Sequence, residues 1–502
     1  MCFEREQHNV VPSVTEQWYG ELMIDAADQE TKTPELFPRT FWTANATELF
    51  ERGAYYSMIS FVLIYLSRLG MGSYWPGDDF WPATLSSLLW TLVYFLPILS
   101  GTIADHIGFR KALLIAFVLL ASGYLLMGAP VWIEGAELSV KGSTNVLTAS
   151  TLTAVCVVGA IVLIGFGGSV IKPCISGTVQ KTAGTRATLA FAIFYMVINI
   201  GSVVGRGVAY VARKEFSLVS IFAVAAAFSV AAFFVVLLVY RDPETEAGAA
   251  VQQKPQRSVG RILIDMITVL RNPRFSLFLF ANAGFAFLYN QVYTLFPLYL
   301  KDVLETEPNV EIYTMANPLT IVCFQLAITK MFGKIKPIIS IVIGTILIGL
   351  SMIINLYPVF AHGGPRAMTL GNLLPIGSMF IVMTVALVAF GELFASARTY
   401  EYIGALAPKG KEGLFLGYAN LPMAIGSLAG GPVGVLIFSK IMCKNSVTNA
   451  DGLLDLDPMQ ASMGWGVLMM VGFASAAGMW AYNRWVTNNP VVSAEENTAQ
   501  AS

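Results

Sequence analysis

The sequence predicts an all-α membrane protein with about twelve transmembrane helices. Of its 502 residues, 55% are hydrophobic and only 13% are charged, and the mean hydropathy is +0.64. A soluble protein of this size would carry about 25% charged residues. We therefore expect most of the chain to face lipid or other helices instead of water.

Apolar runs long enough to cross a bilayer, about twenty residues each, recur along the chain. They form two sets of six, separated by the longest hydrophilic interval between runs. The predicted spans are 41–69, 81–103, 109–130, 151–174, 187–210, 217–240, 275–300, 312–332, 337–357, 373–400, 412–439 and 462–486. The predicted organisation is a cytoplasmic tail at 1–40, a six-helix bundle at 41–240, a cytoplasmic linker at 241–274, a second six-helix bundle at 275–487 and a cytoplasmic tail at 488–502.

The distribution of lysine and arginine between loops predicts the orientation, because basic loops stay in the cytoplasm. With the N-terminus inside, the inner loops collect Arg110, Lys111, Lys181, Arg186, Lys330, Lys334, Lys336, Lys409, Lys411 and the basic linker. The outer loops hold Lys141, Arg213, Lys214, Lys301, Arg366, Lys440 and Lys444. We therefore expect a multi-pass protein of the cell (inner) membrane with both termini in the cytoplasm. Within the linker, 261–271 is expected to lie as an amphipathic helix on the inner surface.

Composition and spacing argue against several other functions. With 31 basic and 32 acidic residues, the chain has no basic field for nucleic acid. The five cysteines have neither CxxC nor metal-type spacing, so neither disulfides nor a metal site is expected. The acidic first forty residues lack the basic start and apolar core of a signal peptide, so they are expected to be retained. No motif suggests catalysis or a cofactor, and we expect a monomer that is not an enzyme.

Two six-helix halves match the major facilitator architecture, in which substrate binds between the halves at the membrane midplane. The loop after the second predicted span looks like the signature of that fold between its second and third helices. The residues of this conformational loop motif are Gly101, Asp105, Gly108, Arg110 and Lys111. The alternative is an ordinary charged turn, which this position in a twelve-span chain disfavours.

Charged residues inside the spans are the candidate functional residues, since a charge near the bilayer centre costs about 2.5–3.5 kcal/mol on insertion scales. The first span carries Glu48, Glu51 and Arg52, which share one helix face. Lys172 lies in the fourth span and Glu392 in the tenth. Counting the rise per residue puts all five at similar depth, with a Glu, Arg and Lys wall facing a Glu wall.

The charge sum of this group predicts a proton. Three carboxylates face two cations, which leaves one negative charge unmatched. Binding a proton is the cheapest way to neutralise a desolvated carboxylate, and the gradient would then supply the energy. The alternative is a static network of ion pairs that holds the first and fourth spans together.

Five stretches in register resemble the proton-dependent oligopeptide transporters, a branch of the major facilitator superfamily. The first span contains ExxER, from Glu48 to Arg52, followed after two residues by a tyrosine pair. The others surround Tyr94, the Gly-Gly and Ile-Lys-Pro stretch with Lys172, the Phe-Tyr-Asn pattern ending at Asn199, and Glu392 with the Leu-Ala-Pro-Lys that follows it. The resemblance covers about 40 to 440.

The resemblance implies a role for each matching residue. The substrate carboxylate would meet Arg52 and Lys172, and the substrate amino group would meet Glu392. Glu48 and Glu51 would take part in proton coupling together with Arg52, Lys172 and Glu392. The remaining substrate contacts would come from hydroxyl and amide groups, those of Tyr55, Tyr56, Tyr94 and Asn199.

One departure from the family pattern concerns the outer gate. The family often pairs an arginine one turn beyond the second tyrosine with a glutamate on the seventh span. This chain has Ile59 and Asn290 there, so we expect the gate to close by packing and amide bonding instead of an ion pair.

The first functional hypothesis is therefore a proton-driven symporter of di- or tripeptides that works by alternating access. The alternatives are a facilitator of another zwitterion, organic anion or drug, and a membrane sensor that binds peptide without moving it. Gradient-driven accumulation, gradient-independent exchange, and binding without flux distinguish the three.

Overall fold

The structure is a computed structural model that describes residues 37–139, 147–243, 268–406 and 418–489, together with residues 260 and 264. Most of the predicted amphipathic segment 261–271 and the predicted inner-loop residues Lys409 and Lys411 lie outside the described residues.

Helices in the first half occupy all six predicted positions. The first span is interrupted after Ile59. The second is interrupted at Pro97, because proline cannot donate a backbone hydrogen bond within a helix. The helices are α1 (Arg39–Ile59), α2 (Val62–Arg68), α3 (Phe80–Phe95), α4 (Pro97–Ile107), α5 (Phe109–Trp132), α6 (Thr151–Thr182), α7 (Ala187–Glu215) and α8 (Ser220–Leu238). Thus α1 with α2 form the first span and α3 with α4 the second.

The second half repeats this pattern, with the seventh to ninth spans again interrupted. Its helices are α9 (Pro273–Asn290), α10 (Leu295–Tyr299), α11 (Val310–Thr314), α12 (Ala316–Phe332), α13 (Pro337–Ile353), α14 (Leu356–Phe360), α15 (Ile376–Leu406), α16 (Leu421–Leu436) and α17 (Pro458–Asn488). Short π-helical turns, Leu300–Leu304 and Ile437–Met442, extend the seventh and eleventh spans. Two antiparallel ribbons lie in loops: β1 (Met368–Thr369) pairs with β2 (Leu374–Pro375), and β3 (Val447–Thr448) with β4 (Leu454–Asp455).

Eleven helical stretches of the described residues are long and apolar enough to cross a membrane. The first predicted span is not among them because α1 carries Arg39, Glu48, Glu51 and Arg52 and is interrupted after Ile59. It packs against α6, α7 and α8 and so completes the first bundle. The prediction of an all-α protein with the major facilitator fold is confirmed.

Several predicted loop cations lie in helices. The fifth span continues to Glu215, five residues beyond its predicted end, and it includes Arg213 and Lys214. Lys301 and Lys440 likewise lie in the π-helical turns. The predicted ends were too early because the apolar runs end before these cations, whereas Arg213 and Lys301 are neutralised by Glu311 and Asp79 across the halves.

The outer surface of the bundle is apolar along its spans. Leu326 is 77% exposed, Met331 70% and Phe280 65%. Side chains of this kind suit contact with lipid, in which apolar surface costs nothing to expose.

The two halves meet closely at one end, which we call the closed end. There α3 of the first half packs against α16 of the second. A Cβ atom at Gly431 of α16 would clash with the backbone carbonyl of Ala83 in α3, so only glycine allows this approach.

Ion pairs also join the halves at the closed end: Arg213 with Glu311 at 2.7 Å, Lys301 with Asp79 at 2.8 Å, Arg68 with Glu307 at 2.9 Å, and Lys440 with Asp78. At the opposite end, the described contacts include the ion pair of Arg398 with Glu401 and a hydrogen bond from the Arg110 backbone to Asp242, each within one half. The structure is therefore sealed at the closed end.

Candidate functional site

Charged side chains of α1 form a compact cluster, which we call the Arg52 cluster. The Nε atom of Arg52 donates to Glu51 and lies 3.3 Å from Glu48 Oε1. Both glutamates are 1% exposed and Arg52 is 8% exposed. Because α1 brings residues three and four apart to one face, the cluster forms within a single helix. Two carboxylates share one guanidinium, so the cluster carries one net negative charge.

Lys172 lies beside this cluster on α6, and its side chain is half-buried. Its Nζ atom lies 5.3 Å from the centre of the Tyr94 ring, a cation–π contact. Among the described residues, no carboxylate lies within ion-pairing distance of this ammonium group. Lys172 therefore has no direct ion-pair partner in the described part of the protein.

Pro173 lies inside the helix next to Lys172 and has no backbone N–H to donate to the Ser169 carbonyl. The Ser100 hydroxyl of α4 donates to that carbonyl at 2.8 Å instead. Gly101, the next residue, lies against the Pro173 ring. The lysine is thus held where α4 and α6 contact each other.

Aromatic rings of both halves surround Trp90 of α3. Its ring stacks on Tyr94 with centroids 5.5 Å apart and meets Tyr55 edge-on at 5.7 Å. From the second half, Tyr293 lies at 4.8 Å and Tyr289 at 6.2 Å. Trp90 was not predicted as a site residue, although its position one turn before Tyr94 places both on one helix face.

Glu392 of α15 provides the opposite wall. Its Oε2 atom accepts a hydrogen bond from the Asn317 amide at 3.0 Å. The hydroxyls of Tyr289 and Tyr195 lie close to the same carboxylate, and Lys172 is within electrostatic range of it. Because Tyr195 belongs to α7, Glu392 faces the first half directly. The Asn199 amide, also on α7, donates to the Tyr195 carbonyl at 2.9 Å.

Arg206 of α7 is a charged residue of the site that the sequence analysis missed. It is 0% exposed, and its guanidinium lies 4.5 Å from the centre of the Tyr56 ring. It reaches this position because α7 packs against α1 closely enough that a Cβ atom at Gly205 would clash with the Gly53 carbonyl. An arginine within the predicted span 187–210 was the available signal.

The predicted charge count is therefore incomplete. With Arg206 included, three carboxylates, Glu48, Glu51 and Glu392, are balanced by three cations, Arg52, Lys172 and Arg206. The local excess of negative charge lies in the Arg52 cluster, and not in the site as a whole. We call these six groups and the surrounding aromatic rings the central site.

A polar seam connects the central site to the closed end. Residues spaced by three on the eighth span face α7: Asn317 contacts Glu392, Thr314 accepts from Arg206 Nε at 3.2 Å, and Glu311 pairs with Arg213 at 2.7 Å. Arg206 and Arg213 are seven residues apart, about two turns, which places them on one face of α7.

The predicted gate positions are part of this closure. Ile59 is fully buried, and Asn290 accepts a hydrogen bond from Ser87 across the halves at 3.0 Å. Packing and an amide hydrogen bond thus occur at these two positions, while closure of the gate by them stays a prediction. An ion pair, Arg213 with Glu311, also joins the halves farther along the seam.

The predicted conformational loop motif joins α4 to α5. Gly108 has a φ of +87°, which favours glycine. The next residue but one, Arg110, donates from its backbone to Asp242 at 2.9 Å and from its side chain to the Leu237 carbonyl at 2.8 Å. Lys111 is exposed, and the side chain of Asp105 lies outside the described part of the structure. The motif therefore ties the third span to the end of the sixth.

Among the residues that the structure describes, no group of three histidines, cysteines, aspartates or glutamates lies close enough to hold a metal ion. The central site contains charged groups, hydroxyls and aromatic rings. It can bind a small ion or zwitterion between two walls.

A model of the Major Facilitator Superfamily matches residues 53–431. The chain therefore belongs to this superfamily of membrane transporters. An uncharacterised MFS-type transporter of Mycobacterium tuberculosis is 24% identical over 382 residues, covering 76% of this chain and 79% of the relative. The dipeptide and tripeptide permease B of Salmonella typhimurium is 26% identical over 241 residues, 46% of this chain and 43% of that protein.

Solved structures show the same fold. A crystal structure of a POT family transporter in complex with a thioalcohol-conjugated peptide matches with a TM-score of 0.67 at 18% identity, covering 90% of this chain and 97% of that one. This likeness in fold agrees with the resemblance of the sequence to the oligopeptide transporters.

Proposed function

We propose that this protein is a proton-driven symporter of small peptides, di- or tripeptides, that works by alternating access. The proposal depends mainly on the opposite charges of the two walls of the central site. Lys172 of the first half has no carboxylate partner among the described residues, and Glu392 of the second half bonds to an amide, Asn317, instead of a cation. A peptide has a carboxylate and an ammonium group, one for each wall.

The Arg52 cluster supports proton coupling. Glu48 and Glu51 share Arg52, and the second oxygen of Glu48, Oε2, is buried without a hydrogen-bond partner among the described residues. Desolvation disfavours a second charged carboxylate beside one guanidinium, so one of the two is suited to take up a proton. Proton binding there would weaken the hold of that glutamate on Arg52 and free the guanidinium for substrate.

The distribution of contacts supports an orientation. The basic loops lie on the side of Arg110 and Lys111, opposite the closed end, and basic loops stay in the cytoplasm. We infer that the closed end faces outwards, that both termini are cytoplasmic, and that the halves part at the inner end in this state. The similarity to the dipeptide and tripeptide permease and to the POT family transporter supports a peptide substrate.

The test is uptake by the purified protein in proteoliposomes, with a panel of dipeptides and an imposed or withheld proton gradient. Accumulation above the outside concentration only with the gradient is the expected result. Exchange that ignores the gradient would instead indicate a facilitator, and binding without flux would indicate a sensor.

A further inference from the structure

Arg206 is a fully buried cation whose hydrogen-bond partners within the described part of the chain are all neutral. Its guanidinium donates to Thr314 Oγ1 at 3.2 Å and to the Tyr293 hydroxyl at 3.0 Å, and it contacts the Ser202 hydroxyl. No carboxylate among the described residues lies within ion-pairing distance of it. A buried charge without an opposite charge costs several kcal/mol, so neutral hydrogen-bond partners alone do not explain why an arginine is present at this position.

Part of the environment of Arg206 belongs to the other half of the molecule. Ser202 and Tyr56 lie in the first half with Arg206, whereas Thr314 and Tyr293 lie in the second. Alternating access requires the halves to separate at the closed end, and separation removes both second-half partners. Arg206 is then a cation on the entry path with two donor directions freed.

Arg213 behaves differently, although it lies on the same face of α7. Its partner Glu311 is a carboxylate, so separation leaves one charge on each half, and the pair re-forms without a ligand. The equivalent partner of Arg206 on the eighth span is Thr314, which cannot neutralise it. Among the described residues, Arg206 therefore has no anionic partner, whereas Arg213 has one.

The charges of the central site indicate which ligand would supply an anionic group to Arg206. Outside the Arg52 cluster, two cations, Lys172 and Arg206, face one carboxylate, Glu392. We propose that Arg206 binds a second anionic group of the substrate, so that the preferred substrates are small peptides with an acidic side chain. This inference rests on the proposed function, in which Lys172 takes the terminal carboxylate and Glu392 the amino group.

Charge balance supports the same substrate class. The six charged groups of the central site sum to zero, so a peptide of net charge −1 and one proton together leave the loaded site neutral. A neutral zwitterion and one proton leave it with one positive charge. Charge in a low-dielectric site is costly, which favours the acidic peptide as the co-transported partner of a proton.

The experiment compares Ala-Glu with Ala-Gln, two dipeptides of nearly the same shape that differ by one negative charge. Binding to the purified protein is measured by thermal stabilisation over a concentration series. We expect the parent protein to bind Ala-Glu about tenfold more tightly, as for a charge-assisted hydrogen bond. In Arg206→Gln the ratio should fall to about one, mainly through weaker binding of Ala-Glu.

Two variants serve as matched controls. Arg213→Gln removes a cation from the same face of α7, two turns away, and should leave the ratio of the two affinities unchanged. Thr314→Val removes a second-half partner but keeps the cation, so the ratio should also remain. If Arg206→Gln is not recovered folded, Arg206→Lys takes its place. It should give an intermediate ratio of the two affinities, because the ammonium group of lysine is a point charge without the paired N–H donors of a guanidinium group.

Two results would overturn the inference: equal affinities for Ala-Glu and Ala-Gln in the parent, or an equal loss of both ligands in the Arg206 variant. The binding ratio does not depend on transport, which separates this inference from the proposed function. A parent that binds Ala-Glu preferentially but accumulates neither peptide would refute the symporter alone. Gradient-driven accumulation of both peptides with equal affinity would refute the role of Arg206 alone.

Discussion

The closed end and the central site differ in where their ion pairs lie. At the closed end, Arg213 and Glu311 pair across the two halves. In the central site, Arg52 pairs with glutamates of its own helix, and Glu392 bonds to Asn317 of its own half. A pair across the halves must break whenever the closed end opens, whereas a pair within one half moves with it unbroken. Pairs across the halves therefore influence the equilibrium between the closed and open states of this end. Pairs within one half keep the charged groups of the central site in place.

Lys172→Ala tests the central site with the largest expected effect. The ammonium group is the cation of the first-half wall that has no carboxylate partner among the described residues, and losing a charged contact with substrate would cost about 2–5 kcal/mol. Gradient-driven uptake of Ala-Ala should fall by about a hundredfold, while the protein remains folded in the membrane. The measurement is initial uptake in proteoliposomes, with size-exclusion behaviour as the check on folding. Uptake near the parent rate would make Lys172 a structural residue.

Glu311→Gln tests the closed end by leaving Arg213 buried without its carboxylate. Breaking a buried pair from one side costs about 3–5 kcal/mol, and here the closed state alone bears that cost. The readout is the labelling rate of a cysteine introduced at Ser60, which is buried between the halves, in a background without the five native cysteines. Labelling should become faster by about tenfold or more.

The matched control is Asp78→Asn, which breaks the exposed pair with Lys440 across the same end. Exposed pairs contribute about 0–1 kcal/mol, so labelling at residue 60 should change by no more than a few-fold. Equal effects of the two variants would mean that burial does not distinguish these pairs and that the comparison above is wrong.

Gly431→Ala tests packing at the closed end without touching a charge. The added methyl group would meet the Ala83 carbonyl of the other half, and overpacking typically costs about 1–3 kcal/mol. We expect the closed end to open more often, with labelling at residue 60 faster by about tenfold. Gly466→Ala, where a Cβ atom meets nothing within 4 Å, is the control and should match the parent. Unchanged labelling in Gly431→Ala would show that α3 can shift to accommodate the added methyl group.

Glu392→Gln tests the second-half wall with the smallest and most selective effect. The amide keeps the size and the hydrogen bond with Asn317 but loses the charge that would hold a substrate amino group. Binding of a free dipeptide should weaken by about tenfold, and binding of its N-acetylated form should hardly change. Thermal stabilisation with both ligands gives the comparison. A similar loss for both would exclude amino-group recognition at Glu392.

The sequence predicted the helices and the walls of the central site because both depend on local patterns. Apolar length defines a span, and 3.6 residues per turn places Glu48, Glu51 and Arg52 on one face without knowledge of any neighbour. The partners of Arg206 and Arg213 could not be found in the same way. A single sequence gives the depth of a side chain, but not which helix faces it.

Helix ends caused the remaining errors. Arg213 was predicted in a loop because the apolar run ends before it, yet α7 continues to Glu215 because Glu311 neutralises that arginine from the other half. Arg206 was visible inside a predicted span and should have been included in the charge count. Trp90 had no charge to mark it, although it contacts more of the site tyrosines than any predicted residue among those the structure describes.

The carbonyl of Ser169 connects Ser100 to the helix segment that carries Lys172, which changes how substitutions of Ser100 should be interpreted. Pro173 leaves that oxygen without its helical donor, and Ser100 is the donor that replaces it. A Ser100→Ala change would therefore orphan a main-chain acceptor at membrane depth, three residues before Lys172, without altering any group that touches substrate. Replacing Pro173 by alanine as well would return the helical N–H donor, so the double variant Ser100→Ala with Pro173→Ala should satisfy the Ser169 carbonyl again.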